Sequence, residues 1–195
     1  MKTSIKTGIA ALLLLTAISC TKENISTPSS LAAQSADNAT EPPAFSIGQS
    51  YHGGIIFYIY ATGQHGLIAA TTDQGTGISW KKGVNKVTGA TGTAVGTGAS
   101  NTTTIVAALG STGTYAALLC ANYSSGIYSD WYLPSKAELN LLYKHKSVIP
   151  GLSSTNYWSS SEVSKGKAWD QEFGGGFQFK DDKSFTLNVR AISSF

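Results

Sequence analysis

Charge is scarce in this chain. Asp, Glu, Lys and Arg make up 13% of its 195 residues, and no basic block occurs. Lys81, Lys82 and Lys86 form one small group and Lys165 with Lys167 another. Nucleic-acid binding needs denser clusters, so that partner class is excluded; solvated surface or an acidic polysaccharide suits such groups better. Histidine occurs only at His52, His65 and His145, with no H-E-x-x-H spacing and no acidic calcium-type loop. No metal or cofactor site is therefore expected. A Gly-x-Ser-x-Gly elbow is missing, and no glycine-rich loop follows a strand with phosphate-binding spacing. The glycine-rich region from Gly83 to Thr114 has no fixed short repeat, which excludes collagen. Apolar runs stay well short of the roughly twenty residues that a membrane-spanning helix requires.

The N-terminus holds the most specific signal. Lys2 and Lys6 precede an apolar run from Ile9 to Ile18 that stops at Ser19-Cys20. Two cations, about ten apolar residues and a small residue before the cut describe a secretory signal. Ala17-Ile18-Ser19-Cys20 resembles the lipobox of bacterial lipoproteins. That resemblance implies a signal peptide over residues 1–19 and lipidation of the Cys20 thiol, which anchors the chain stably because several acyl chains act together. Thr21-Lys22-Glu23 resembles the surface-export signal of some Gram-negative lipoproteins. The expected location is the outer membrane, with the cell surface and the periplasmic face both open.

Loss of Lys2 and Lys6 leaves 12 cations against 11 carboxylates, a net charge near +1. With Cys20 lipidated, Cys120 has no partner, which excludes an internal disulfide and a thiolate metal cluster. Cys120 lies in the apolar run Ala116 to Ala121, where a buried, inert thiol is expected. Residues 20–44 are rich in Ser, Thr, Ala, Asn and Pro and read as a tether that cannot bury enough surface to order itself. About twenty such residues would hold the domain roughly 25 Å from the membrane. Residues 45–195 suit one compact domain.

Ile55 to Tyr60 is a continuous apolar run that predicts a strand covered on both faces, hence a central one. Leu67 to Thr71 predicts its hairpin partner across the Ala61–Gly66 turn. Thr102 to Leu109 and Tyr115 to Asn122 predict short helices. Ser135-Lys136-Ala137-Glu138 is a capping box, and Leu139, Leu142 and Tyr143 then share one helical face. Beyond Pro150-Gly151 the period drops to two. Trp169, Gln171 and Phe173 alternate with Ala168, Asp170 and Glu172, and Phe177 and Phe179 alternate with Gln178 and Lys180. Phe185, Leu187, Val189 and Ala191 give one clean inward face. Together these runs predict a three-stranded meander with one face buried. Asp181-Asp182 reads as turn chemistry. Strands at both ends with helices between them give an α+β class, with mainly antiparallel sheet and two or three helices.

Aromatics carry the functional expectation. Trp131 and Trp158 read as core. Trp80 and Trp169 stand beside polar residues and are candidates for an exposed platform. Stacking faces with nearby amides and cations suit a sugar. Ligand contacts are accordingly expected at Trp80, Trp169, Gln171, Gln178 and Lys180, on loops and strands between Ser159 and Lys180 and at Trp80.

An ordered set of motifs spans residues 47 to 195. It runs from Gly53-Gly54-Ile55-Ile56-Phe57-Tyr58 through Gly66-Leu67-Ile68-Ala69-Ala70 and Trp80 to Trp131-Tyr132-Leu133-Pro134-Ser135. It continues with Glu138-Leu139, Tyr157-Trp158-Ser159-Ser160-Ser161-Glu162, Ala168-Trp169 and Val189-Arg190-Ala191-Ile192. This set resembles the DUF1566 family, which includes the C-terminal domain of the Legionella collagen-like adhesin and is distantly similar to the C-type-lectin and formylglycine-generating-enzyme superfold. The resemblance implies a C-type-lectin-like α+β domain used in adhesion. In the adhesin relative the domain binds sulfated glycosaminoglycans as a trimer. The present chain has no collagen-like stalk, is barely basic, and lacks the Glu-Pro-Asn and Trp-Asn-Asp motifs of calcium-dependent lectins. Formylglycine-generating activity depends on two cysteines and is not expected with Cys120 alone. The expectation is a non-enzymatic surface module that recognises a glycan or a host or envelope protein. The alternative is a structural or accessory envelope lipoprotein whose aromatics are all internal.

Overall fold

Two short glycine-bearing turns start the domain. The computed structural model describes residues 44–195; the signal peptide, Cys20 and all but the last tether residue lie outside the described residues. Strand β1 (Ser50–Tyr51) turns through His52 and Gly53 into β2 (Gly54–Ile59). Both turn residues have positive φ, 46° and 79°, a conformation that glycine adopts freely and histidine only rarely. β2 pairs antiparallel with β3 (Gly66–Ala70), and β3 pairs with the last strand, β9 (Ile192–Ser194). The four-stranded sheet β1-β2-β3-β9 thus joins the two ends of the domain, as the placement of strands at both ends of the sequence requires.

A second sheet has five strands. These are β4 (Gly75–Ser79), β5 (Asn156–Glu162), β6 (Lys167–Glu172), β7 (Gln178–Asp182) and β8 (Thr186–Val189), in the order β4-β8-β5-β6-β7. β5, β6 and β7 form an antiparallel meander. The third strand of the expected meander departs from it: β8 does not follow β7 but lies on the other side of β5, parallel to it, and pairs with β4. Lys183, in the turn between β7 and β8, is fully buried and pairs with Glu162 at the end of β5, which ties that turn inward and not along the sheet edge.

β7 is consequently an edge strand, and its faces are the reverse of those expected. Phe177 and Phe179 are 67% and 43% exposed. Gln178 instead turns toward a helix, donating to the Lys136 carbonyl at 3.0 Å. Phe185, also expected inward, is 53% exposed, whereas Val189 and Ala191 are fully buried.

Three helices lie between β4 and β5 in sequence: α1 (Gly98–Leu109), α2 (Ala116–Ala121) and α3 (Lys136–Lys144). α1 begins four residues before the apolar signal at Thr102 because its first turn buries polar groups. The Asn101 amide bonds the Gly92 backbone at both ends, and the Thr102 hydroxyl receives the Leu133 N–H at 3.0 Å. The capping box of α3 is formed in both directions, with the Ser135 hydroxyl accepting the Glu138 N–H and the Glu138 carboxylate accepting the Ser135 N–H at 2.7 Å. Glu138 also receives the Gly96 N–H at 2.7 Å, tying the approach to α1 onto the start of α3.

Successive residues of β2, β3 and β5 feed two separate cores. Ile56, Ile68, Trp158 and Val189 enter one, together with Trp80, Trp131, Leu133 and α1–α2 side chains including Cys120. Phe57, Leu67, Tyr157 and Ile192 enter the other with Leu139 and Leu142 of α3. This is the alternation of a strand buried on both faces.

Candidate functional site

The start of α3 and the β6–β7 hairpin build one surface. Strand register sets Trp169 opposite Lys180 and Gln171 opposite Gln178. Directly opposed residues on neighbouring strands point to the same face, so four of the five residues singled out in the sequence converge here. Lys136, the first helical residue of α3, brings its ammonium to 3.5 Å from the centre of the Trp169 ring, and Lys180 comes to 5.0 Å. Both distances lie within the range in which a cation is attracted to an indole face. Lys167, at the start of the same face, donates to the Lys180 carbonyl at 3.1 Å.

The two glutamines hold this surface in place. Gln171 is fully buried; its amide donates to Asn140 Oδ1 at 2.9 Å and to the Gly176 carbonyl at 3.0 Å. Its oxygen accepts from Gln178 at 3.2 Å. With every polar atom of Gln171 engaged inside the protein, it positions Trp169 and α3 and offers nothing to a ligand. The exposed part of the site is Trp169, half-buried, with Lys136 and Lys180. Asp182 closes one end. The Ser184 N–H and hydroxyl hold its carboxyl below the ordinary range, with a smaller contribution from Lys81 and Lys167.

Trp80 does not belong to this surface. It is 1% exposed, its indole N–H donates to the Ser159 carbonyl at 2.8 Å, and the buried Lys183 ammonium lies 4.3 Å from its ring. A ring enclosed on these sides has no face left for a ligand, which corrects the expectation placed on Trp80. Trp131 and Trp158 are core, 3% and 0% exposed.

Sequence reasoning missed the buried charged groups. Lys183 and Glu162 form a buried ion pair, and Glu162 also accepts the Thr88 and Gly89 N–H groups at 2.8 to 3.0 Å. Burial pushes the Glu162 carboxyl up, but Lys183 and these N–H groups outweigh it and hold the group below its ordinary value. Arg190, fully buried, reaches Asp73 at 2.7 Å and the carbonyls of Ala70, Pro150 and Gly151. A lone charge inside the apolar run Val189-Arg190-Ala191 is the sequence signal for such a clamp. Asp170, on the opposite face of β6, is 1% exposed. Its Oδ2 accepts from Asn156 at 2.7 Å while Oδ1 has no partner. Burial raises its carboxyl to about 6. Among the described residues no group of three or more His, Cys, Asp or Glu side chains is placed to hold a metal ion.

An α+β domain with a mixed five-stranded sheet, a four-stranded sheet joining its ends, and an aromatic-cationic surface beside α3 is the architecture at hand. The chain belongs to the Lcl C-terminal domain family, whose model matches residues 69–193. The match opens in β3 and closes in β9, so it takes in α3, β6 and β7 with the whole surface around Trp169. No curated protein matches the chain. Membership in this family suggests an adhesion-related module of the cell surface.

Proposed function

We propose that this protein is an envelope lipoprotein, lipidated at Cys20 and held at the outer membrane, whose folded domain binds a glycan through Trp169, Lys136 and Lys180. The observation that carries this reading is the pair of ammonium groups at 3.5 and 5.0 Å from one half-buried indole. An acidic sugar matches both parts of it. Its C–H face stacks on the ring, and its carboxylate or sulfate draws the lysines off the indole into charge-assisted hydrogen bonds. The Gln171–Gln178–Asn140 network keeps the ring from rearranging, so little ordering entropy opposes binding.

The domain works as a binding module and not as an enzyme. Cys120 supports this, since complete burial pushes its thiol well above the ordinary range, the reverse of what a nucleophile needs. A glycan array probed with the full chain should retain acidic saccharides, and Trp169→Ala or the double change Lys136→Ala, Lys180→Ala should each weaken retention about tenfold. Ligand should also protect Trp169 from iodide quenching, because the other three tryptophans are already buried. An array without signal, together with no binding to host matrix, overturns the proposal.

A further inference from the structure

Two cavities meet at Asp130, and neither is lined by Trp169 or its lysines. The larger, about 540 Å³, is an open groove between α1 and the 130–132 segment, with Thr103, Val106 and Ala107 on one side and Ala121 and Trp131 on the other. Its surface is mainly apolar. The smaller, about 210 Å³ and more enclosed, is lined by His52, Tyr128, Asp130, Ser193 and Ser194. Asp130 is exposed and lines both.

Three observations give the pair a chemical character. The Asp130 carboxylate has no cation beside it: among the described residues the ion pairs are Lys183–Glu162 and Arg190–Asp73. The wall of the smaller cavity is built at a conformational cost. His52 has φ 46°, and its ring stacks between Tyr51 at 3.8 Å and Tyr128 at 4.4 Å. Finally, Ile127, the chain neighbour of the cavity-lining Tyr128, is 88% exposed.

We infer that these two cavities together dock a segment of a partner protein that carries a lysine or arginine next to a large apolar side chain. The apolar side chain enters the groove along α1, and the cation reaches Asp130 from the smaller cavity, where the Tyr128 ring and the serine hydroxyls also receive it. Charge selects the sign of the occupant, because Asp130 repels the acidic sugars suited to Trp169. Shape selects its kind. A groove open along its length cannot enclose a small free molecule as ligand pockets do, but it accommodates a chain passing over it. The inference is independent of the glycan reading.

The test is titration of the isotopically labelled full chain with the peptide acetyl-Phe-Gly-Lys-amide, read from amide shifts by NMR. Shifts are expected at Thr103, Val106, Ala107 and Asp130 to Tyr132. Replacing the peptide lysine by glutamine, or Asp130→Asn in the protein, should weaken binding about fivefold. Ala107→Trp fills the groove and should weaken it about tenfold. Asp130 and Ala107 are both exposed, so neither change disturbs a core. Titration with n-hexylammonium separates the sources. If it shifts the same residues as tightly as the peptide, the occupant is a free amphiphile and the inference falls. It also falls if the peptide shifts none of these residues, or if binding is indifferent to the charge at Asp130.

Discussion

Asp170 should make this domain less stable as the pH rises from 4 to 7. Its carboxyl stands at about 6 in the folded protein against an ordinary 3.8, because burial disfavours the charge and Oδ1 finds no donor. Between those two values the native state holds a proton that the unfolded chain has released. Unfolding stability therefore falls through that window and levels off above it. A displacement of about two pKa units at roughly 1.4 kcal/mol each would give about 3 kcal/mol; the expected loss is nearer ~2 kcal/mol, since Asp170 pairs with edge strand β7, where water screens part of the charge. Asp170→Asn cannot ionise and should lack this component. Its amide still leaves one polar atom without a partner, so the informative quantity is the slope with pH and not the absolute stability. Urea unfolding of both proteins at pH 4, 5, 6 and 7, followed by tryptophan fluorescence, measures it. The stability difference between variant and wild type should shift in the variant's favour by about 2 kcal/mol across the series. Parallel pH profiles would refute the reasoning.

Two further outcomes follow from charge burial and from the N-terminal signal. Glu162→Ala leaves the Lys183 ammonium buried without its partner and should cost about 3–5 kcal/mol in urea unfolding, with part recovered in the double change Glu162→Gln, Lys183→Met; a double variant no more stable than the single one counts against the ion pair as the cause. Growth with an alkyne-tagged fatty acid should label the wild-type chain in the membrane fraction and leave Cys20→Ser unlabelled, whereas label surviving in that variant excludes Cys20 as the anchor.

The start of α3 and the β2–β3 hairpin were readable because each rests on neighbours in the chain. A capping box needs residues three apart, and a buried strand needs an unbroken apolar run. The site was readable in part. Alternation puts Trp169 with Gln171 on one face of 167–172 and Gln178 with Lys180 on one face of 178–182, and the strand register then joins the two pairs. The same alternation misled at Phe177 and Phe179, since period two names two faces without saying which one a helix will cover. Here α3 presents the Lys136 carbonyl and Asn140, so the amide-bearing face turned inward and the phenylalanines turned out.

The sequence by itself determined the α+β class, the entry to α3, the burial of Trp131 and Trp158 and the scarcity of charge. Tertiary structure alone decided that Trp80 is closed, that β8 crosses to the far side of β5, and that Lys183, Arg190 and Gln171 are buried. Each of those outcomes depends on a partner remote in the chain: Glu162 for Lys183 at 21 residues, Asp73 for Arg190 at 117, Asn140 for Gln171 at 31. Polar side chains bury only where such partners meet them, and that meeting exists only once the chain has folded.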